Sequence, residues 1–268
     1  MGKTIVSWSP VEGQGATTSH TIALASILSL NVGHRSLLTH TQLAPSAMEE
    51  MYRQKKTDDF DDGGIDGLER LVKSKLLKSD DVPAYTNTIY KSHLDFLAGK
   101  NSNQQSEGNS QILNTILRAA SEQYDFIWID AETGVNSLKT RDLLEKADLV
   151  LVNLPQNKHI IKQFMEALPT ELQDKPYFIL LSQYDEKASY TLRNIKRQHH
   201  VKVPIFAIPY ATGYRDAVNQ DMVAEFFVRT MKVEKRDVLY PFVHSLSVVN
   251  SEIMKQLGFA KVAEEDWE

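Results

Sequence analysis

Residues 9–18 read Ser-Pro-Val-Glu-Gly-Gln-Gly-Ala-Thr-Thr, and this stretch decides the fold. The apolar, β-branched run from Thr4 to Ser9 predicts a strand, and the Ala, Ile and Leu residues between Thr17 and Leu30 predict a helix. A glycine-rich turn between a strand and a helix lets backbone N–H groups point at an anion, toward which the helix also directs its positive dipole end. The stretch is therefore typical of a phosphate-binding loop.

The loop lacks the lysine that such loops usually carry. Ala16 stands where that lysine would reach the β- and γ-phosphates, whereas Thr17 keeps the hydroxyl that meets Mg²⁺. One lost charge-assisted contact to phosphate costs about 1.5 to 3 kcal/mol, which is about 10- to 100-fold in affinity. The cellular concentration of ATP is high enough for binding to persist despite that loss of affinity. We therefore predict ATP binding through Gly13, Gln14, Gly15, Ala16, Thr17 and Thr18. The alternative is an inherited strand-to-helix turn that only packs.

The composition is that of an ordinary globular protein. The 268 residues are 42% hydrophobic and 24% charged, and no break in composition indicates a second domain. The formal net charge of -5 opposes wholesale nucleic-acid binding, and the absence of cysteine excludes disulfides and thiolate metal sites. No apolar run approaches the ~20 residues of a membrane-spanning helix, and no secretory signal opens the chain. We therefore expect a cytoplasmic protein.

Strands and helices alternate along the chain, which predicts an α/β fold with a doubly wound, mostly parallel sheet flanked by helices. We expect a single domain over residues 1–268, with mobile insertions near 55–64 and 99–110 and a helical C-terminal segment at 221–268. Beyond the first strand and helix, the apolar runs predict strands at Ser36–Thr39, His93–Ala98, Tyr124–Asp130, Leu149–Asn153, Tyr177–Ser182 and Ile205–Ile208.

Several segments resemble the ParA/MinD-type P-loop ATPases. The run Phe126 to Asp130, followed by Ala-Glu-Thr-Gly, is similar to the Walker B region of that family, and Ala147 to Val152 is similar to its ADxVLxV strand. Tyr184-Asp185 and Ile208-Pro209 follow in the same order. The collinear resemblance implies the P-loop fold of that family, ATP and Mg²⁺ as cofactors, and a homodimer formed across the phosphate loop.

The resemblance also implies roles for single residues. Asp130 would hold Mg²⁺ through a water, together with Thr17, and a buried carboxylate at a strand end suits that role. Ser182 stands where an asparagine usually contacts adenine, and Pro209 ends the strand that follows, so both are assigned to the nucleotide site.

Three positions depart from the family pattern. Val11 and Ala16 replace its two loop lysines, and His40 replaces an aspartate that orders Mg²⁺ and the attacking water. Because phosphoryl transfer depends on positioning and on cations, we predict weak or absent hydrolysis and assign no catalytic residue. An alanine before Thr17-Thr18 resembles the atypical CpaE/TadZ and BcsQ groups, which localise pili or cellulose-export machinery.

Two side chains near the loop keep open interpretations. Glu132 is either an added acid near the γ-phosphate or a solvated loop residue. His40 is a general base in one interpretation and a satisfied structural histidine in the other.

The favoured function is a nucleotide-responsive positioning or assembly factor that binds a protein partner within a larger machine. The alternative is an active ATPase of the partitioning type, in which Lys3 or Lys158 reaches the phosphates. That alternative would use a basic run to bind DNA non-specifically, formed by Arg193, Lys196, Arg197, His199, His200 and Lys202. The acidic end from Ala263 to Glu268 opposes attachment to anionic lipid.

Overall fold

One eight-stranded sheet organises the computed structural model, which describes residues 1–41, 46–52, 63–99 and 110–259. The strands are β1 (Lys3–Trp8), β2 (Ser36–His40), β3 (Asn87–Tyr90), β4 (Leu94–Leu97), β5 (Phe126–Asp130), β6 (Leu149–Pro155), β7 (Tyr177–Tyr184) and β8 (Ile205–Pro209). The helices are α1 (Thr17–Asn31), α2 (Ala47–Met51), α3 (Gly64–Lys73), α4 (Ser110–Ala120), α5 (Leu138–Lys146), α6 (Lys158–Glu166), α7 (Leu192–Gln198), α8 (Thr212–Asn219), α9 (Val223–Thr230) and α10 (Tyr240–Gln256).

The strands follow the order β3-β4-β2-β5-β1-β6-β7-β8, and every neighbouring pair except β3 with β4 is parallel. This arrangement confirms the predicted α/β fold with a mostly parallel sheet. The short edge strand β3 was not predicted. Its sequence, Asn-Thr-Ile-Tyr, offers too few apolar residues for a periodic signal.

The two faces of the sheet carry separate apolar clusters because side chains alternate along each strand. Ile5 of β1 packs on the face covered by α1 and α10, whereas Val6 packs on the face covered by α4 and α5. Helix α1 is buried on all sides over most of its length, from His20 to Ser29. A helix buried in this way is apolar all round, which explains why α1 shows no polar stripe in the sequence.

Helices α9 and α10 lie within the C-terminal segment 221–268, and residues 260–268 lie outside the described residues. Most of the two insertions predicted near 55–64 and 99–110 also lies outside them. At their edges, Gly64 begins α3 and Ser110 begins α4. Within the described ranges, no helix combines the length and apolarity needed to cross a bilayer.

Candidate functional site

The predicted phosphate loop leaves the carboxyl end of β1, a strand near the centre of the sheet, and enters α1. Because β1 is parallel to its neighbours β5 and β6, the carboxyl ends of all three strands meet at the same edge. Ligands in open α/β sheets bind at this edge. The loop after β5 is hydrogen-bonded to the start of the phosphate loop. Trp8 Nε1 donates to the Gly134 carbonyl at 2.9 Å, and Gly134 N donates to the Ser9 carbonyl at 3.0 Å.

Close packing fixes the shape of the loop. A Cβ added at Gly15 would lie 2.6 Å from Ser9 Oγ and 3.0 Å from the Asn153 carbonyl oxygen, so only glycine fits there. Gly13 has a φ of +68°, and Ala16 also adopts the left-handed region with a φ of 52°. An alanine in that region costs about 1 to 2 kcal/mol. The surrounding structure therefore holds the loop in a conformation that its own residues do not favour.

The backbone of the loop presents uncommitted donors. No backbone N–H from Glu12 to Ser19 makes a well-aligned hydrogen bond to an acceptor within the described ranges, and the helical hydrogen bonds begin only with His20 N to the Ala16 carbonyl, at 2.9 Å. No side chain caps the N-terminus of α1, and its first turn holds no acidic residue. Consecutive donors at the positive end of a 15-residue helix suit a phosphate group, so the residues present fit a nucleotide here.

A buried polar network lies behind the loop and was missed in the sequence. Asn153 of β6 directs its Nδ2 toward Ser7 Oγ at 2.9 Å and the Leu151 carbonyl at 3.0 Å, which leaves its Oδ1 to accept from His20 Nδ1 at 2.7 Å. Burial lowers the pKa of His20 to about 4, against the opposing effect of the Asn153 hydrogen bond, so the imidazole is neutral near pH 7. The network joins β1, β6 and α1 beneath the glycine turn.

Asp130 ends β5 and lies beside the first turn of α1. Thr18 Oγ1 donates to Asp130 Oδ2 at 2.6 Å. Burial raises the pKa of Asp130 to about 6, while the Thr18 hydrogen bond and the charge of His40 act in the opposite direction. A carboxylate and hydroxyls at one helix terminus are oxygen ligands of the kind that Mg²⁺ accepts. The hydroxyl that meets Asp130 belongs to Thr18, one residue beyond the predicted Thr17, whose metal role remains a prediction.

Lys139 is a cation at this edge that the sequence did not reveal. Its Nζ donates to the Thr41 carbonyl at 2.6 Å and to Glu132 Oε1 at 3.1 Å. The Lys139 and Glu132 side chains are only 18% and 19% exposed. Glu132 is therefore a partly buried ion-pair partner, which differs from the solvated loop residue of one earlier interpretation. Lys3 pairs with Asp148 at the opposite end of β1, so it does not reach the loop.

Solved structures match this chain over nearly its whole length, whereas no family model and no curated protein sequence matches it. A ParA family ATPase from Chlorobium tepidum TLS aligns with a TM-score of 0.72 and 14% identity, covering 93% of this chain and 99% of the other. The septum site-determining protein MinD with Mg-ADP, from Pyrococcus horikoshii OT3, aligns with a TM-score of 0.70 and 15% identity over 96% and 98%. A chain of the MinC:MinD cell division protein complex from Aquifex aeolicus aligns with a TM-score of 0.69 and 15% identity, covering 98% of this chain and 99% of the other.

This chain has the ParA/MinD fold. The predicted resemblance to ParA/MinD-type proteins is thereby confirmed in its architecture. The narrower CpaE/TadZ and BcsQ resemblance remains a prediction, as do the roles assigned to single residues.

The ParA/MinD resemblance put His40 at an aspartate position, and the structure buries it there. His40 lies opposite Asp130 in the register of β2 and β5, and its Nε2 is 3.0 Å from Glu49 Oε1. Its ring stacks on Phe96 and leaves no space for a side chain at Gly99. These contacts are those of a packed structural histidine.

Ser182 and Pro209, the two other residues assigned to the predicted nucleotide site, lie on neighbouring strands. Ser182 is buried near the end of β7, and its Oγ is 3.2 Å from both the Gln14 and the Leu154 carbonyls. Pro209 ends β8 and pairs with Tyr184. Ser182 therefore joins β7 to the phosphate loop directly.

Proposed function

We propose that this chain binds Mg-ATP with weak or absent hydrolysis and acts as a nucleotide-responsive positioning or assembly factor. The observation that carries the proposal is the run of backbone N–H groups from Glu12 to Ser19 that make no well-aligned hydrogen bond among the described residues, beside the Thr18–Asp130 pair. These donors would hold the phosphates without help from a lysine in the loop. The state of the protein would then depend on whether the site holds ATP, holds ADP or is empty.

The side chains at the site support binding more than turnover. Thr17 and Asp130 would hold Mg²⁺, and Asp130, with a pKa of about 6, is mostly ionised at pH 7.5 and able to do so. Ser182 would contact the base, and Pro209 would complete the nucleotide site. Hydrolysis needs cations fixed against the charge of the transition state, but Val11 and Ala16 are uncharged and His40 is engaged with Glu49.

We propose further that the protein works as a cytoplasmic homodimer joined across the phosphate-loop face and binds a protein partner. Glu12, Gly13 and Gln14 are exposed on this face, which supports its availability to a second copy. The Aquifex aeolicus MinD structure was solved with a protein partner, MinC. Ala16 before the threonine pair supports the atypical CpaE/TadZ and BcsQ branch.

A fluorescent-ATP titration with Mg²⁺, a phosphate-release assay and light scattering test these statements together. We expect saturable binding, phosphate release far below that of a lysine-bearing ParA/MinD protein at the same ATP concentration, and a shift toward the dimer. Absence of binding would overturn the proposal, and rapid phosphate release would support the ATPase alternative. Binding without a shift in scattering would contradict nucleotide-gated dimerisation.

A partitioning ATPase that binds DNA is the second candidate function. Its support is α7, which exposes Arg193, Lys196 and Arg197, followed by exposed His200 and Lys202. Retention on DNA that falls steeply as salt increases would favour this candidate, because phosphate contacts release counterions. The triple variant Arg193→Gln/Lys196→Gln/Arg197→Gln is the control. If the wild-type protein elutes from DNA at the same low salt concentration as this variant, the candidate function is rejected.

A further inference from the structure

The Lys139 side chain has an unusual orientation for a lysine, because its ammonium points toward the carboxyl-end edge of the sheet and not into solvent. The side chain starts in the first turn of α5, beside Leu138, which is 76% exposed. Lysines normally extend their charged end into water. Here the Nζ instead donates to the Thr41 carbonyl and to Glu132 Oε1, and 18% of the side chain is exposed.

A short series of contacts connects this ammonium with the phosphate loop. Thr18 in the first turn of α1 donates to Asp130, whose carbonyl accepts from Thr41 N at 3.0 Å. The Thr41 carbonyl then accepts from Lys139 at 2.6 Å. Glu132 closes the group, because its backbone N–H donates to Thr41 Oγ1 at 3.3 Å. Lys139 therefore lies at the same sheet edge as the loop, on the side of β2 and β5.

The charges at this edge explain why a cation is needed there. Asp130 and Glu132 are two carboxylates separated by one residue, and the loop itself contributes no cationic side chain. Unpaired, both would repel a triphosphate through a partly buried medium, in which charges act over longer distances than in water. The Lys139–Glu132 ion pair cancels one of these negative charges.

We propose that Lys139, by pairing with Glu132, sets the affinity of the site for the γ-phosphate and so takes over part of the role of the missing loop lysine. This inference rests on the proposed nucleotide binding and adds the residue that selects triphosphate over diphosphate. Lys139 acts as a positioning residue for charge, and its effect is transmitted through Glu132. The expected consequence is selectivity for ATP over ADP that depends on the summed charge of residues 132 and 139 and not on Lys139 alone.

Calorimetric titration of the full chain with Mg-AMPPNP and with Mg-ADP tests the inference. We expect Lys139→Gln to weaken AMPPNP binding about tenfold while leaving the Kd for ADP within about threefold of the wild type. Glu132→Gln should tighten AMPPNP binding, and the double variant should return close to the wild-type Kd. Lys139→Arg should retain the selectivity because it keeps the charge.

The matched control is Lys146→Gln on the same helix, whose exposed side chain pairs with Asp142 and should leave both Kd values unchanged. Thermal unfolding of each variant identifies any that lose the fold; if Lys139→Gln is among them, Glu132→Gln carries the test, and unchanged or weaker AMPPNP binding by that variant would overturn the inference. Equal weakening of both nucleotides, no weakening, or a double variant as weak as Lys139→Gln would overturn the inference. If the wild type binds neither nucleotide, the proposed function fails as well; if only the variants contradict expectation, the proposed function stands.

Discussion

The two sides of the phosphate loop differ in how their polar groups are committed. On the α1 side, the backbone donors from Glu12 to Ser19 make no well-aligned hydrogen bond among the described residues. On the β2 and β5 side, His40 and Lys139 are paired with carboxylates. On the proposed function, most of the anion affinity would therefore come from the main chain of the loop. Reactivity depends on side chains, and here those side chains stabilise one another.

The largest expected effect comes from a substitution that distorts the backbone of the phosphate loop on the α1 side. In Gly15→Ala the new Cβ would collide with Ser9 and with the Asn153 carbonyl, so the donors would lose their common direction. We expect at least about a 100-fold loss of ATP affinity in a titration, corresponding to about 3 kcal/mol. Gly33→Ala is the control, because a Cβ there meets nothing within 4 Å. Equal affinity in the two variants would show that the loop does not hold the phosphates.

Restoring the missing side chain sharpens the comparison in the other direction. Ala16→Lys adds the ammonium that phosphate loops use, in the same left-handed backbone conformation. We expect ATP affinity to rise about 10- to 100-fold and phosphate release to increase. A variant with unchanged affinity would mean that the loop does not direct residue 16 at a phosphate.

Acid should destabilise the α1 side through His20. Its pKa of about 4 in the folded state lies below the ordinary value of 6.5, so the unfolded chain binds more protons between these values and stability falls as pH decreases. We expect wild-type stability, relative to His20→Gln, to drop by about 2 kcal/mol between pH 6.5 and 4. Urea unfolding across this range measures the difference. Parallel curves for the two proteins would contradict a buried neutral imidazole.

The β5 side should respond to acid with the opposite sign. Asp130 has a pKa of about 6 when folded against 3.8 ordinarily, so its ionisation costs stability above pH 6, and this cost is relieved as pH falls toward 4. Asp130→Asn should therefore be more stable than the wild type at pH 8, by about 1 kcal/mol, and the gain should vanish near pH 4. The amide of this variant can still accept the Thr18 hydrogen bond, but it loses the electrostatic attraction between the carboxylate and His40. This loss keeps the gain in stability small. A gain independent of pH would contradict this explanation.

The same comparison separates what the sequence predicts from what it does not. The loop, β1 and α1 are contiguous, so spacing and residue type are sufficient to predict them. The Lys139–Glu132 pair has no such signal, because it forms only when the chain turns at Gly134, with a φ of +73°, and brings α5 back over the edge. His20 and Asn153 are 133 positions apart, and a lone histidine in an apolar helix does not indicate its partner.

One measurement tests the central claim most directly. The wild-type protein is equilibrated with Mg-ATP, separated rapidly from free nucleotide, and the retained nucleotide is identified by chromatography. If the loop binds ATP through its backbone and lacks the cations needed for hydrolysis, the retained nucleotide should be mainly ATP. Retention of nothing, or of ADP alone, would contradict the account.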